Sequence, residues 1–161
     1  MSHFDSDGLA FDYPSTWNAA TFDMSSSFQH RWVWLSTETM ADPCDRVSSS
    51  EMISIDCERW PVASTLRENG VLLSWSSNGF PGWAFNANAG DSIRVDGLQA
   101  TMEVNAADSD CMAIGGKAQI RVIVASNVPH NWTEMDGCVN GPFNGTVKDQ
   151  VMAMLTSADL R

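Results

Sequence analysis

An α+β fold, an antiparallel sheet flanked by a few helices, is the architecture this sequence predicts, and three observations predict it. Strand-like alternation fills the middle of the chain, in residues 29–35, 51–58 and 117–125. The clearest helical period is C-terminal, where Val147, Val151, Met154, Leu155 and Ala158 recur at spacings of three and four. Alternating βαβ units are not seen, which argues against a doubly wound parallel sheet and for helices covering one or both faces of an antiparallel one. The C-terminal amphipathic helix is expected to pack on that sheet.

Taken in order, Leu9–Tyr13 reads as a short strand ended by Pro14, with Ser15 placed to cap one helical turn carrying Trp17. Residues 29–35 are aromatic and β-branched. Simple alternation puts Trp32 and Trp34 on one face and Val33 and Leu35 on the other, so this is expected to be a central strand. Residues 41–50 read as a loop containing Pro43 and a serine cluster. Residues 51–58 then alternate Ile53, Ile55 and Cys57 against Ser54 and Asp56. Pro61 and Gly70 bracket a predicted short helix, with Val62, Ala63 and Leu66 on one face. Residues 71–75 form a strand, 76–82 a polar, turn-rich surface loop, and 83–85 a further strand. Residues 92–95 and 98–104 are the arms of a hairpin, because Asp96-Gly97 supplies the positive φ values of a tight turn. In residues 117–125, Ala118, Ile120, Val122 and Val124 alternate with Gln119 and Arg121. Thr146 and Asp149 have the spacing of a capping box at the start of the last helix.

The length of 161 residues suits a single domain over 1–161, and a 43% hydrophobic content is enough for a core of its own. Nine Lys and Arg face twenty Asp and Glu, a net charge of −11. A nucleic-acid binder needs clustered cations to displace phosphate counterions. Arg59 and Arg67 make the nearest thing to a pair, so binding to nucleic acid or to an anionic membrane surface is not expected.

The four cysteines, Cys44, Cys57, Cys111 and Cys138, contain no CxxC pair, and His3, His30 and His130 lie far from them in sequence. That spacing does not suit zinc. Two disulfides are the simpler reading, against four buried thiols in a reducing compartment. Of the three pairings open to four cysteines, Cys44–Cys57 with Cys111–Cys138 is expected because each closes a loop rich in turn residues. Each bridge would contribute about 3 kcal/mol on the chain-entropy model. Charged residues are only 18% of the chain, and Ser, Asn, Thr and Gly are plentiful. An extracellular or cell-surface domain fits this profile. No apolar run approaches the roughly 20 residues that span a bilayer. The polar start, Met1 to Asp7, is not an export signal, so a signal is expected to have preceded it and been removed.

Catalytic signatures are missing: there is no G-x-S-x-G, H-E-x-x-H or S-x-x-K. Gly115-Gly116-Lys117 lacks the earlier glycine of a phosphate loop, and Ala118 replaces the magnesium-binding hydroxyl, so a turn before a strand is expected. Asp5 with Asp7 and Asp108 with Asp110 have calcium-loop spacing but lack the glycine and distal glutamate of an EF-hand. No metal or cofactor is expected. His30 is a candidate to orient a nucleophilic serine. Seven tryptophans are the unusual feature. Phe80, Trp83, Trp32 and Trp34 are the candidate ligand-binding aromatics, since exposed rings stack on sugars or anchor protein partners. A large core filled with aromatics is the competing account. Asn131-Trp132-Thr133 and Asn144-Gly145-Thr146 match the N-glycosylation sequon, which matters only in a eukaryotic source.

Asp96-Gly97-Leu98-Gln99-Ala100, Cys111, Ile114-Gly115-Gly116, Cys138, Gly141-Pro142 and Val151 to Ser157 together resemble a pattern of small exported proteins and lipoproteins of actinobacteria. That resemblance implies that Cys111 and Cys138 pair. Phe11-Asp12-Tyr13-Pro14 followed by Trp17 is similar to the start of PsbP-like and Mog1-like domains, which implies an α/β/α sandwich. These segments cover under half of the chain and imply no catalytic residue. The function expected is therefore a non-enzymatic exported domain that binds a protein or a cell-envelope component. The alternatives are a carbohydrate-binding module using exposed aromatics, and a hydrolase whose site is dispersed in sequence.

Overall fold

The computed structural model describes residues 1–161 apart from 23, 49–52, 58–59 and 63, with the backbone alone for 45–48 and 53–56. Among the described residues the strands are β1 (Ser2–Ser6), β2 (Leu9–Tyr13), β3 (Asn18–Ala20), β4 (Gln29–Ser36), β5 (Cys44–Ser48), β6 (Ile53–Cys57), β7 (Val71–Gly79), β8 (Asp91–Val95) and β9 (Leu98–Ala106). Helix α1 (Ser109–Ala113) follows, then β10 (Ala118–Ala125), β11 (Asn131–Val139), α2 (Gly145–Ser157) and β12 (Asp159–Leu160). The molecule is mostly antiparallel sheet with few helices, as the α+β reading requires.

Seven strands form the main sheet, in the order β3-β4-β7-β11-β10-β9-β8. A three-stranded sheet, β1-β2-β12, and the separate hairpin β5–β6 complete the pairing. The β8–β9 hairpin turns at Asp96 (φ 49°) and Gly97 (φ 73°), so both turn residues take the left-handed conformation that the Asp-Gly pair was expected to supply.

The two faces of the main sheet differ because strand alternation sends different residue types to each. On one face, the cross-strand row Val33, Trp75, Met135, Val122 and Met102 is buried throughout. Phe11 of β2 lies on it, its ring 5.8 Å from Trp75. The buried residues of α2, Val147, Val151, Met154 and Leu155, belong to the same cluster. On the other face, a smaller cluster gathers Trp34, Leu72, Val62 and Leu66 around Cys111 and Cys138. Disulfides join Cys111 to Cys138 and Cys44 to Cys57. The first is wholly buried; the second staples directly opposed residues of the β5–β6 hairpin.

Several expectations are corrected. Residues 61–70 form no helix where they are described: Val62 bridges to Met40, Leu66 N donates to Ile114 O, and Asn69 N donates to Asn140 O. Tertiary partners take the backbone groups a helix would have used. Ala63 lies outside the described residues, as do the ends of the predicted strand 51–58, of which β6 is the described part. The loop expected at 76–82 begins later, since β7 runs to Gly79, with Ser76 and Asn78 buried. Residues 83–85 are not a strand, and Trp17 sits in a turn closed by Trp17 N and Pro14 O at 2.9 Å. The N-cap of α2 is Asn144, without a side-chain cap bond, so Thr146 and Asp149 are not a capping box. Asp108 caps α1, accepting from the backbone N–H groups of Asp110 and Cys111.

Candidate groove at the end of the main sheet

Strand β4 breaks its own alternation. Arg31 faces Ser76 and Val33 faces Trp75, so Trp32 is an extra residue bulged out of the ladder. Trp32 therefore packs against the main cluster with Val33, while Trp34 belongs to the smaller one on the opposite face. The expectation that the two tryptophans share a face is overturned by that one inserted residue. Trp34 is also no surface aromatic: it is 2% exposed, under the Arg31 guanidinium at 4.4 Å and beside Trp60 at 5.9 Å.

One row beyond the buried Trp75 row, the same face changes character. His30, Ser77, Thr133 and Val124 are cross-strand neighbours, and only Val124 of these is buried. Further out lie Gly79 and Asn131. Ser77 and Gly79 are small, so the centre of the row is low while its flanks stand up. The result is an open groove of about 700 Å³, a size typical of small-ligand sites. Phe28, Trp32, His30 and Asn131 present side chains to it, while Gln29, Asn78 and Trp132 also line it but alternate to the opposite face of the sheet.

The groove is held in shape from several sides. Trp132 Nε1 donates to Glu134 Oε2 at 2.9 Å, and the ring stacks on Trp83 at 4.3 Å between centroids. Gln29 Nε2 donates to Asn78 Oδ1 at 2.9 Å, and Asn78 Nδ2 donates to Ser76 Oγ at 3.0 Å. Phe28 pairs with Phe80 at 5.2 Å, both more than half exposed. Phe80 N is tied to His130 O, and His130 Nδ1 lies 2.9 Å from Trp83 O. Of the four candidate aromatics, then, Trp32 lines the groove, Phe80 and Trp83 sit one contact behind it, and Trp34 is elsewhere. Phe28 and Asn131 were not expected from sequence to line a common groove, because only the tertiary structure brings them together.

Two further arrangements bear on chemistry. Ser25 Oγ and His30 Nδ1 are 2.8 Å apart at the groove rim, but among the described residues no carboxylate is hydrogen-bonded to His30. On the opposite face, Trp34, Ser74, Asp136, Arg121 and Glu103 form another cross-strand row. Arg121 is bound by both oxygens of Glu134, at 2.8 and 3.3 Å. Burial pushes the Asp136 carboxyl above its ordinary range. Ser74, which donates to it at 2.5 Å, pulls it back, as do Arg31 and Arg121, while Glu134 pushes it further up.

A raised carboxyl favours the fold when protonated, so this contribution to stability is complete at low pH and is lost as pH rises through the folded-state value. Asp136→Asn, which keeps an acceptor for Ser74, is therefore expected to be more stable than the wild type near neutrality, with the gap closing on acidification. Urea midpoints at about pH 4 and about pH 7 test it. A gap that does not widen towards neutrality would mean that Ser74 and the arginines outweigh burial.

No helix of the described residues is long and apolar enough to cross a membrane, and no group of three metal-ligating side chains occurs among them. Neither a family model nor a curated protein matches the sequence. A solved structure from Bacteroides thetaiotaomicron VPI-5482 is similar over 99% of this chain and 48% of that one, at 12% identity and a TM-score of 0.41. The chain thus spans about half the length of that protein. A likeness of this size carries no inference about fold or function.

Proposed function

We propose that the chain is a non-enzymatic, exported binding domain, and that the groove at the end of the main sheet is where it takes up a cell-envelope component. One observation carries this reading: the groove combines aromatic rings with neutral amides and hydroxyls, the combination of a recognition site. Two disulfides accord with an oxidising compartment outside the cytoplasm. The resemblance to exported actinobacterial proteins and lipoproteins, and to PsbP-like domains, points the same way and supports a cell-surface or extracellular location. The hydrolase alternative has the Ser25–His30 contact in its favour, but a serine nucleophile also needs its histidine oriented by a third group.

The test is binding to a cell-envelope fraction. Phe28→Ala and His30→Ala remove exposed side chains, so each is expected to leave the melting temperature within about 2 °C of wild type. Each should weaken binding, and Phe80→Ala and Trp83→Ala should do so less, because they act through Phe28 and Trp132. Unchanged binding in all four variants would remove the groove from consideration. Turnover of a model ester that is lost in Ser25→Ala would favour the hydrolase instead.

A further inference from the structure

We infer that the groove takes a neutral oligosaccharide, lying with pyranose rings against its aromatic walls; this rests on the binding-domain reading above. Charge decides against most other ligands. Arg161 is the one cationic side chain among the lining residues described, and it is already spent on Asp5 at 2.8 Å and Asp159 at 3.1 Å. Among the described lining residues no other Lys or Arg is left to hold a phosphate or carboxylate, and a chain of net charge −11 repels anionic polymers at a distance. A peptide taken up as an added strand needs a free sheet edge. The floor residues Ser77 and Thr133 lie on β7 and β11, whose edges are both paired.

What the groove does offer suits a hydroxyl-rich, uncharged ligand. Asn131 supplies an amide, and Ser77 and Thr133 supply hydroxyls, each able to donate and accept. Phe28 and Trp32 supply π faces for the C–H face of a sugar ring. Trp32 is fixed before any ligand arrives: it lies edge-on to His30 at 6.0 Å and close over Gly8, where an added Cβ would stand 3.2 Å from its ring. Phe28 packs on Phe80 at 5.2 Å. Preorganised rings lose little conformational freedom on binding, which matters for a ligand whose hydroxyls are well solvated in water.

The experiment titrates the wild-type protein with neutral cello-, manno- and chito-oligosaccharides, following tryptophan emission and heat, with polygalacturonate as the anionic control. Two variants block the groove: Ser77→Trp at its floor, and Asn127→Trp at its exposed rim, where folding is not at risk. The expected result is saturable binding of at least one neutral series and none of polygalacturonate. Binding should weaken by about tenfold or more in Asn127→Trp and in Phe28→Ala. Binding only to a protease-sensitive envelope fraction, still blocked by Asn127→Trp, would overturn the glycan assignment and leave the binding-domain reading standing. Preference for polygalacturonate would overturn the glycan assignment on charge. No binding to oligosaccharides or to the envelope fraction would overturn both.

Discussion

Leu155→Ala should lower the free energy of unfolding by about 2–5 kcal/mol. Leu155 is 2% exposed and belongs to the cluster that also holds Phe11, Trp75 and Met135. Truncation removes its buried methyl groups and leaves a cavity that the surrounding rings are too rigid to fill. The neighbouring α2 residue Met154 is wholly buried in the same cluster, while Thr156 on the outer face is exposed, so Thr156→Ala serves as the control with little change. Urea unfolding of the two variants separates the cases. A loss below about 0.5 kcal/mol for Leu155→Ala would mean that α2 is peripheral to the core.

The second large effect is expected from the buried bridge. Replacing Cys111 and Cys138 together by Ala removes a link across 27 residues, worth about 3.5 kcal/mol on the chain-entropy model. It also opens space beside Trp34 and Leu72. The site has no slack in the other direction, since a Cβ on Gly116 would overlap both sulfurs. Replacing Cys44 and Cys57 should cost about 3 kcal/mol or less, because the 13-residue loop is shorter and Cys57 is only half-buried. Graded thiol reductant, quenched and mapped by peptide mass, should accordingly open Cys44–Cys57 first. Opening of Cys111–Cys138 first would show that the small cluster breathes more readily than its burial implies.

The parts of the fold that were legible in the sequence are those whose local pattern and tertiary role agree. Leu9–Tyr13, residues 92–104 and α2 have apolar spacing that matches the face they bury. The central strand β11 was not legible. It carries Glu134, Asp136 and Gly137 where a buried strand is expected to be apolar. What makes them tolerable is supplied from other strands: Ser74 for Asp136, Arg121 for Glu134, and Leu73 filling the space a side chain on Gly137 would need. The helix expected at 61–70 failed for the converse reason. Its Pro and Gly punctuation is sound, but long-range backbone partners outcompete a short isolated helix. Of the site, the aromatic surplus and the disulfide pairing could be read in advance. Which rings face the groove could not, because a bulge is invisible to a period-two pattern.

That bulge also sets how freely the protein could be altered. Inward of Trp32, β4 is locked to the core through Val33, Trp34 and Leu35; outward of it, Gln29 is tied to the buried Asn78, while His30 is exposed at the groove. The extra residue uncouples the two stretches, so the facing preferences of one place no demand on the other. His30, with Asn127 and Asn131 across the groove, can therefore be randomised as a block while the interior sequence stays fixed. The sheet end is in this sense a variable surface mounted on an invariant frame, suited to selecting new ligand specificities without redesigning the fold.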